Sequence, residues 1–220
     1  MQLEGIGRIL KKCLYLMYWK PRVVLRKATE WYFDYRWGTD TTGFIVYSQD
    51  STNPLHRTAE AYEATTPRNF KEIMRTVSNL PMPDVFLDIG CGKGRTLIMA
   101  SLYGFKRVIG VEFDADLAKA AEANVSRFRK KMPDTRQLDI VCGDAGAYDF
   151  PDENSLIYFF NPFKECVMAK TLENIRRSAR NTKERTIIYH IPMHAALMSD
   201  PAKFTLMIKT NTCSVYRMVF

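Results

Sequence analysis

The chain has 220 residues, of which 46% are hydrophobic and 25% charged, and a formal net charge of +8 at pH 7. This composition is typical of one globular domain with an additional arm, and it supplies enough apolar residues for a sizeable core. The five cysteines form no CxxC pair and the three histidines no ligand cluster. We therefore expect free thiols in the reducing cytoplasm and no metal site. No apolar run approaches the ~20 residues of a membrane span.

The first 37 residues form a basic, aromatic-rich arm. Seven basic residues and no acidic one lie between Arg8 and Lys27, and apolar residues recur at helical spacing from Ile6 to Met17. Pro21 predicts a break in any helix here. The arm is compatible with peripheral contact to a membrane or an acidic partner, and equally with an amphipathic helix that packs on the core. Loop-like residues follow from 38 to about 66.

From residue 67 onwards, helical stretches alternate with short apolar runs. Thr66 and Pro67 predict the cap and first turn of a helix over 67–79. Further helices are predicted over 95–103, 115–130 and 164–180. Strands are predicted over 85–89, 107–111, 137–142, 155–160 and 186–190, and a closing hairpin over 204–209 and 214–219. The alternation indicates an α/β fold: a Rossmann-like, doubly wound, mostly parallel seven-stranded sheet with a C-terminal antiparallel hairpin and an N-terminal helical arm.

In such sheets, ligands bind beyond the carboxyl ends of the strands. The first predicted strand runs into Asp88-Ile89-Gly90-Cys91-Gly92-Lys93-Gly94, and the second ends at Glu112, 20 residues after Gly92. A carboxylate at that position can accept hydrogen bonds from both hydroxyls of a ribose. The dinucleotide fingerprint GxGxxG fails because position 95 is arginine, and no phosphate-loop motif is present. Asp88 would also repel a pyrophosphate, whereas it would attract a cationic amino group.

The order of motifs resembles that of class I S-adenosylmethionine-dependent methyltransferases. DxGxGxG follows the first strand, an acid closes the second, an aspartate follows the third and Asn-Pro the fourth. The resemblance covers residues 62–193, and it predicts a cofactor-binding domain over 62–220 after an arm and loop over 1–61. It implies S-adenosylmethionine as the cofactor, with the methionine end at Asp88, Gly90, Cys91 and Gly92, the ribose at Glu112, and the adenine at Phe113, Asp144 and Ala145. Taken singly, each aspartate also fits a helix or turn cap.

The segment Asn161-Pro162-Phe163 resembles the catalytic [DNS]PP[YFW] motif of amino-directed methyltransferases. In that motif, the side-chain oxygen and a proline carbonyl orient the acceptor nitrogen toward the methyl group. Phe163 stands where the motif has a second proline, which departs from the base-methylating pattern and also fits a turn that ends a strand. His190 and His194 are the candidate bases for a hydroxyl acceptor, and each also fits a structural role.

Residues 62–66 (YEATT), with the motifs above, are similar to a group of small bacterial methyltransferases and, more weakly, to Dot1-like lysine methyltransferases. In the latter a tyrosine-rich loop closes over the cofactor, a role that falls on Tyr62 and Thr66. We expect a methyltransferase (EC 2.1.1.-) that acts by in-line displacement on an amino group of a protein or a small molecule. The alternative is a nucleic-acid or membrane binding module on a methyltransferase scaffold. Nucleic acid as the acceptor stays open because the net charge favours it.

Overall fold

The computed structural model describes residues 21–48, 50–133, 137–181 and 184–220. The helices are α1 (Pro21–Trp37), α2 (Pro54–Thr58), α3 (Pro67–Thr76), α4 (Arg95–Tyr103), α5 (Ala115–Lys131) and α6 (Glu165–Arg177), and a 3-10 turn spans Ala195–Met198. The strands are β1 (Phe44–Ile45), β2 (Tyr62–Glu63), β3 (Val85–Ile89), β4 (Arg107–Glu112), β5 (Gln137–Cys142), β6 (Ser155–Phe160), β7 (Arg185–His190), β8 (Phe204–Lys209) and β9 (Cys213–Met218).

Strands β3 to β9 form one seven-stranded sheet in the order β5-β4-β3-β6-β7-β9-β8. The first five strands in this order pair in parallel, and β9 is antiparallel to both β7 and β8. The chain builds outward from β3 in one direction and then from β6 in the other, so the order reverses between these two strands. The structure thus confirms the predicted Rossmann-like sheet with its C-terminal hairpin, and it places the ligand-binding switch point at β3 and β6.

The central strands are mostly apolar because both faces of the sheet are covered. Every residue of β3 and of β7 is buried, as expected of parallel strands between two helical layers. Neighbouring residues alternate between the layers, so that Phe86 lies in one core cluster and Leu87 in the other. Helix α1 adds Phe33 and Trp37 to the first cluster, where the Trp37 ring meets the edge of Phe128 at 5.0 Å.

The predicted elements differ from the observed ones mainly in the segment before β3. Residues 38–66, predicted as loop, contain α2 and the antiparallel pair β1–β2. The Thr66 hydroxyl caps α3 by accepting from the Asn69 N–H at 3.1 Å, and Pro67 occupies the first turn, as predicted. Helix α3 ends at Thr76, three residues before the predicted end.

The N-terminal predictions concern residues that are only partly described. The apolar stripe from Ile6 to Met17 lies outside the described residues, as does most of the basic segment. Contact of that segment with a membrane or an acidic partner therefore stays a prediction, as does the boundary between 1–61 and 62–220. Within the described part of the chain, no helix is long and apolar enough to cross a membrane.

Candidate functional site

The predicted motif residues meet at one edge of the sheet, outside the carboxyl ends of neighbouring strands. Because the strand order there is β5-β4-β3-β6, Asp144, Glu112, Asp88 and Asn161 follow one another along that edge. A larger cleft of about 580 Å³ is lined by Asp88 and Glu112, and a smaller one of about 290 Å³ by Asp144. The two clefts adjoin, since both are lined by Gly90, Phe113 and Phe163.

The loop that follows β3, residues 90–94, is called the glycine loop. Two of its positions require glycine for two separate reasons. Gly90 and Gly92 have φ of +80° and +53°, a region that side-chain-bearing residues seldom adopt. A Cβ on Gly92 would lie 2.1 Å from the Tyr62 ring, and one on Gly90 would lie 2.6 Å from the Pro162 Cβ. The loop is therefore held between Tyr62, which the sequence predicted to close the site, and the predicted catalytic segment.

The amide groups of this loop already have partners within the protein. The N–H groups of Gly90 and Cys91 donate to the Val111 carbonyl at 2.8 and 3.2 Å, and the Gly92 N–H donates to the Glu112 carboxylate at 2.8 Å. Loops that bind phosphates do so through backbone N–H groups that point at the ligand. Since these three donors are engaged elsewhere, the geometry agrees with the exclusion of a dinucleotide by sequence.

Glu112 is buried at the end of β4, where the backbone holds its carboxylate. One oxygen accepts from Gly92 and the other from the Asp114 N–H at 3.0 Å. Burial raises the pKa of Glu112, while the hydrogen bonds from Asp114 and Gly92 oppose that rise. The Phe113 N–H also lowers the pKa of Glu112 by a hydrogen bond. A carboxylate has about four acceptor positions, so Glu112 keeps capacity to accept from a ribose hydroxyl.

Asp88 lies deeper in the larger cleft and is 3% exposed. Burial raises its pKa to about 8, the charge of Glu112 adds to the rise, and a hydrogen bond with Thr96 opposes it. A cation close to such a buried carboxyl group favours its ionised form and lowers its pKa. Asp88 therefore fits the cationic amino group that the resemblance places there.

Cys91 lines the larger cleft and Thr66 does not, and each also has a structural role. The Cys91 thiol packs toward β4, where a Cβ on Gly110 would lie 2.7 Å from its Sγ, and burial raises the pKa of this thiol. Thr66 serves as the cap of α3 and lines neither cleft. Cofactor contacts by Cys91 and Thr66 stay predictions, and both residues have a clear packing or capping role.

The predicted adenine end is built around Phe113 and Asp144. The Phe113 ring packs against Tyr47 and His56, with centroids 5.5 and 5.6 Å apart, so an aromatic surface borders both clefts. The Asp144 carboxylate accepts from the Gly146 N–H at 2.8 Å and pairs with Lys170 at 3.0 Å. Sequence reasoning missed Tyr47 and His56, because they belong to the segment before the predicted domain.

Arg95, the first residue of α4, joins the N-terminal segment to the glycine loop. It is 2% exposed and donates to the hydroxyls of Thr41 and Thr42, both at 2.7 Å. The carboxylates of Glu30 and Asp34 on α1 lie 3.8 and 3.7 Å from its guanidinium nitrogens. These partners are far away in sequence, so no local pattern predicted the network.

Asp34 organises the loop that follows α1. Its carboxylate accepts hydrogen bonds from the hydroxyls of Thr39, Thr41 and Thr42 at 2.6 to 2.8 Å. Burial alone would raise the pKa of Asp34, but these hydrogen bonds outweigh it and hold the pKa below its ordinary value. The Thr41 carbonyl in turn accepts from the Tyr62 hydroxyl at 2.8 Å. Tyr62 is thereby fixed over Gly92.

Pro162 and Phe163 of the Asn-Pro-Phe segment line the larger cleft, and Asn161 lines neither cleft. Asn161 has φ of +41°, and its side-chain oxygen accepts from the Tyr189 hydroxyl at 3.1 Å. The Pro162 carbonyl accepts from the Glu60 N–H at 3.1 Å. Each oxygen has a second lone pair. The catalytic role of Asn161, Pro162 and Phe163 stays a prediction, compatible with this geometry.

A buried polar chain lies behind this segment. The Tyr158 hydroxyl is 2.8 Å from the Thr65 hydroxyl and 2.9 Å from His190 Nδ1. Burial lowers the pKa of His190 to about 4, so this imidazole is neutral at pH 7 and is a weak base. The backbone N–H of His194 donates to the Tyr189 hydroxyl at 3.3 Å. Among the described residues, no group of three or more potential ligands could hold a metal ion.

Comparison with known proteins agrees with this geometry. Residues 86–183 match a family model described as a methyltransferase domain. The chain resembles the class I S-adenosylmethionine-dependent methyltransferases in this stretch and in the motifs at the sheet edge. It is 32% identical over 85 residues to a histone-lysine N-methyltransferase (H3 lysine-79 specific) of Dictyostelium discoideum, a stretch that covers 36% of this chain and only 5% of that protein.

Solved structures show the same fold at low sequence identity. The methyltransferase candidate yhhF of Escherichia coli superposes with a TM-score of 0.58 at 13% identity, covering 81% of this chain and 99% of its own. A SAM-dependent methyltransferase of Aquifex aeolicus superposes with a TM-score of 0.51 at 16% identity, covering 69% and 90%. These structures show the fold alone. The predicted methyltransferase activity and its cofactor, S-adenosylmethionine, are supported by the family match, and the acceptor is not specified.

Proposed function

We propose that this methyltransferase acts on an amino group of a protein or of a small molecule. The observation that carries the proposal is the larger cleft, which the buried carboxyl groups of Asp88 and Glu112 line together with Pro162 and Phe163 at the switch point of the sheet. The cofactor supplies a methyl group that is already activated on a sulfonium, so the chain has mainly to align the acceptor and exclude water.

The residues at the sheet edge fit the parts of the cofactor in order. Asp88 would bind the amino group of the methionine end, and Glu112 would accept from the ribose hydroxyls. The aromatic surface of Phe113 would cover the adenine, with Asp144 and Ala145 at its edge. Tyr62, fixed over the glycine loop, would close the site from above.

An amino acceptor suits the groups on the far side of the cleft better than a hydroxyl acceptor. The oxygens of Asn161 and Pro162 can each accept one more hydrogen bond, which is what a planar or neutral amino group requires. A hydroxyl acceptor would need a base, and a buried His190 with a pKa of about 4 is a weak one at pH 7. These features support nitrogen as the acceptor atom.

The experiment is methyl transfer from tritium-labelled S-adenosylmethionine to the fractions of one cell extract: proteins, nucleic acids and small molecules. We expect label in proteins or in small amines, stable to mild alkali as an N-methyl group is, and lost with Asn161→Ala. Label confined to nucleic acid, or label released by alkali as a methyl ester is, would contradict the proposal. Asn69→Ala serves as a matched control on α3, remote from both clefts.

The alternative function, a binding module on a methyltransferase scaffold, is not favoured. Asp88 and Glu112 are both buried carboxyl groups, and burial of such groups is costly unless they bind something. A protein that bound no cofactor would be more stable with an alanine or an amide side chain in place of Asp88 and Glu112. Such side chains avoid the free-energy cost of burying a carboxyl group.

A further inference from the structure

Four carboxyl side chains line the larger cleft, and three of them have clear partners. Glu63 pairs with Arg26 at 2.7 Å, and Glu112 is held by backbone N–H groups. Asp88 is buried and hydrogen-bonded with Thr96. Glu60 differs: within the described part of the chain, its carboxylate has no hydrogen-bond donor and no cationic side chain at ion-pair distance.

The position of Glu60 is fixed by the predicted catalytic segment. The Glu60 N–H donates to the Pro162 carbonyl, and the Lys164 N–H donates to the Thr58 carbonyl at 2.9 Å, so the chain between α2 and β2 pairs with the segment after β6. Burial raises the pKa of Tyr189, and the charge of Glu60 adds to that rise. The charge of Glu60 therefore reaches Tyr189, whose hydroxyl donates to Asn161 of the predicted catalytic segment.

The surroundings of this carboxylate favour a cation. Aromatic rings line the same cleft, among them Tyr158, Phe160 and Phe163, and ring faces attract ammonium groups. Glu60 is itself only partly exposed, so its charge is less screened than one on the open surface. A half-buried carboxylate beside aromatic rings is stabilised when a positively charged group enters the cleft.

We propose that Glu60 determines acceptor specificity by drawing an alkylammonium group into the cleft beside the Asn-Pro-Phe segment. This assignment rests on the proposed function and narrows its acceptor to a cationic amine, such as a lysine-type side chain or a small aliphatic amine. The negative charge of Glu60 repels an anionic acceptor. A neutral alcohol is not attracted by this charge, so it binds less well than a cationic amine. Glu60 acts in recognition of the acceptor, as a specificity-determining residue. The bound ammonium group loses its proton to solvent before its nitrogen, with the lone pair freed, takes the methyl group from the sulfonium.

Two cofactor analogues test this without a known acceptor. Both have the S-adenosylhomocysteine framework with nitrogen in place of sulfur, and they carry alkyl arms of equal length, one ending in an ammonium group and the other in a methyl group. Calorimetric titration of the full chain should show about tenfold tighter binding of the ammonium arm, as expected for one hydrogen bond to a charged group. In Glu60→Gln the two arms should bind about equally, with the affinity for S-adenosylhomocysteine kept.

Glu63→Gln is the matched control, because Glu63 lines the same cleft but is already paired with Arg26. We expect it to retain the preference for the ammonium arm. Equal binding of both arms by the wild-type protein, or a preference that survives Glu60→Gln, would overturn the assignment of Glu60. Failure of S-adenosylhomocysteine itself to bind the wild-type protein would instead overturn the cofactor site on which the proposed function depends.

Discussion

The contact between Gly92 and Tyr62 allows a direct test of how the glycine loop is held. Gly92 has φ of +53°, and a Cβ there would lie 2.1 Å from the Tyr62 ring. In Gly92→Ala the ring must therefore leave its place over the loop and give up the hydrogen bond from its hydroxyl to the Thr41 carbonyl. We expect the variant to lose stability and to bind S-adenosylhomocysteine about tenfold more weakly, a difference of about 1.4 kcal/mol.

The loss of stability can be worked out from these two effects. An alanine in the left-handed region costs about 1 to 2 kcal/mol, and the lost hydrogen bond costs about 0.5 to 1.5 kcal/mol. The sum is about 1.5 to 3.5 kcal/mol, and each kcal/mol lowers Tm by about 2 to 4 °C in a chain of this size. Thermal denaturation measures the stability, and calorimetry measures the binding.

Two further variants separate the backbone effect from the contact. In a Tyr62→Ala background the added methyl group meets no ring, so Gly92→Ala should cost only the backbone contribution. Gly104 also has a positive φ of +121°, but no atom lies within 4 Å of its added Cβ, so Gly104→Ala should lower stability and leave binding unchanged. The reasoning is refuted if Gly92→Ala has the same effect with and without the Tyr62 ring.

Two other predictions concern buried charges. Arg95→Met should lower the free energy of unfolding by about 3 to 5 kcal/mol, since it leaves the carboxylates of Glu30 and Asp34 without their buried cation. The control Arg68→Met, at an exposed ion pair, should lower the free energy of unfolding by at most about 1 kcal/mol. Chemical denaturation measures both variants, and equal losses would contradict a stabilising role of Arg95 beside Glu30 and Asp34. For Asp88, the pKa of about 8 in the folded protein exceeds the unfolded value of about 3.9. Its stabilising contribution is therefore complete below about pH 4 and is lost as the pH rises toward 8. Thermal denaturation across this range should show a fall that Asp88→Asn removes, and an unchanged pH profile in the variant would rule out this account of Asp88.

The sheet could be predicted from sequence because each strand is a short apolar run between turn residues. Strand β3 was predicted over 85–89 and lies at Val85–Ile89, since a strand buried on both faces reads as a nearly continuous apolar run, here interrupted only by Asp88. The short pair β1–β2 was not predicted, because a strand of two residues contains no alternation to recognise. Helix α2 was missed for a similar reason, as its five residues bury no apolar face.

The sequence could predict that the candidate cofactor residues lie together, because the carboxyl ends of parallel strands meet at one edge of a sheet. The residues that stabilise this edge could not be predicted, because their partners are far away in sequence. Arg95, for example, contacts Thr41 and Asp34. Tyr158 did carry a signal. A tyrosine in an otherwise apolar buried strand needs a partner for its hydroxyl, and the structure supplies Thr65 and His190.

The central claim is that this sheet edge binds S-adenosylmethionine through Glu112. The most direct measurement is calorimetric titration of the full chain with S-adenosylmethionine and with NAD, on the wild-type protein, Glu112→Ala and the exposed control Glu122→Ala. The account predicts binding of S-adenosylmethionine and not of NAD, weakened at least about tenfold in Glu112→Ala and unchanged in Glu122→Ala. Binding that is insensitive to Glu112→Ala, or no binding by a folded wild-type protein, would contradict it.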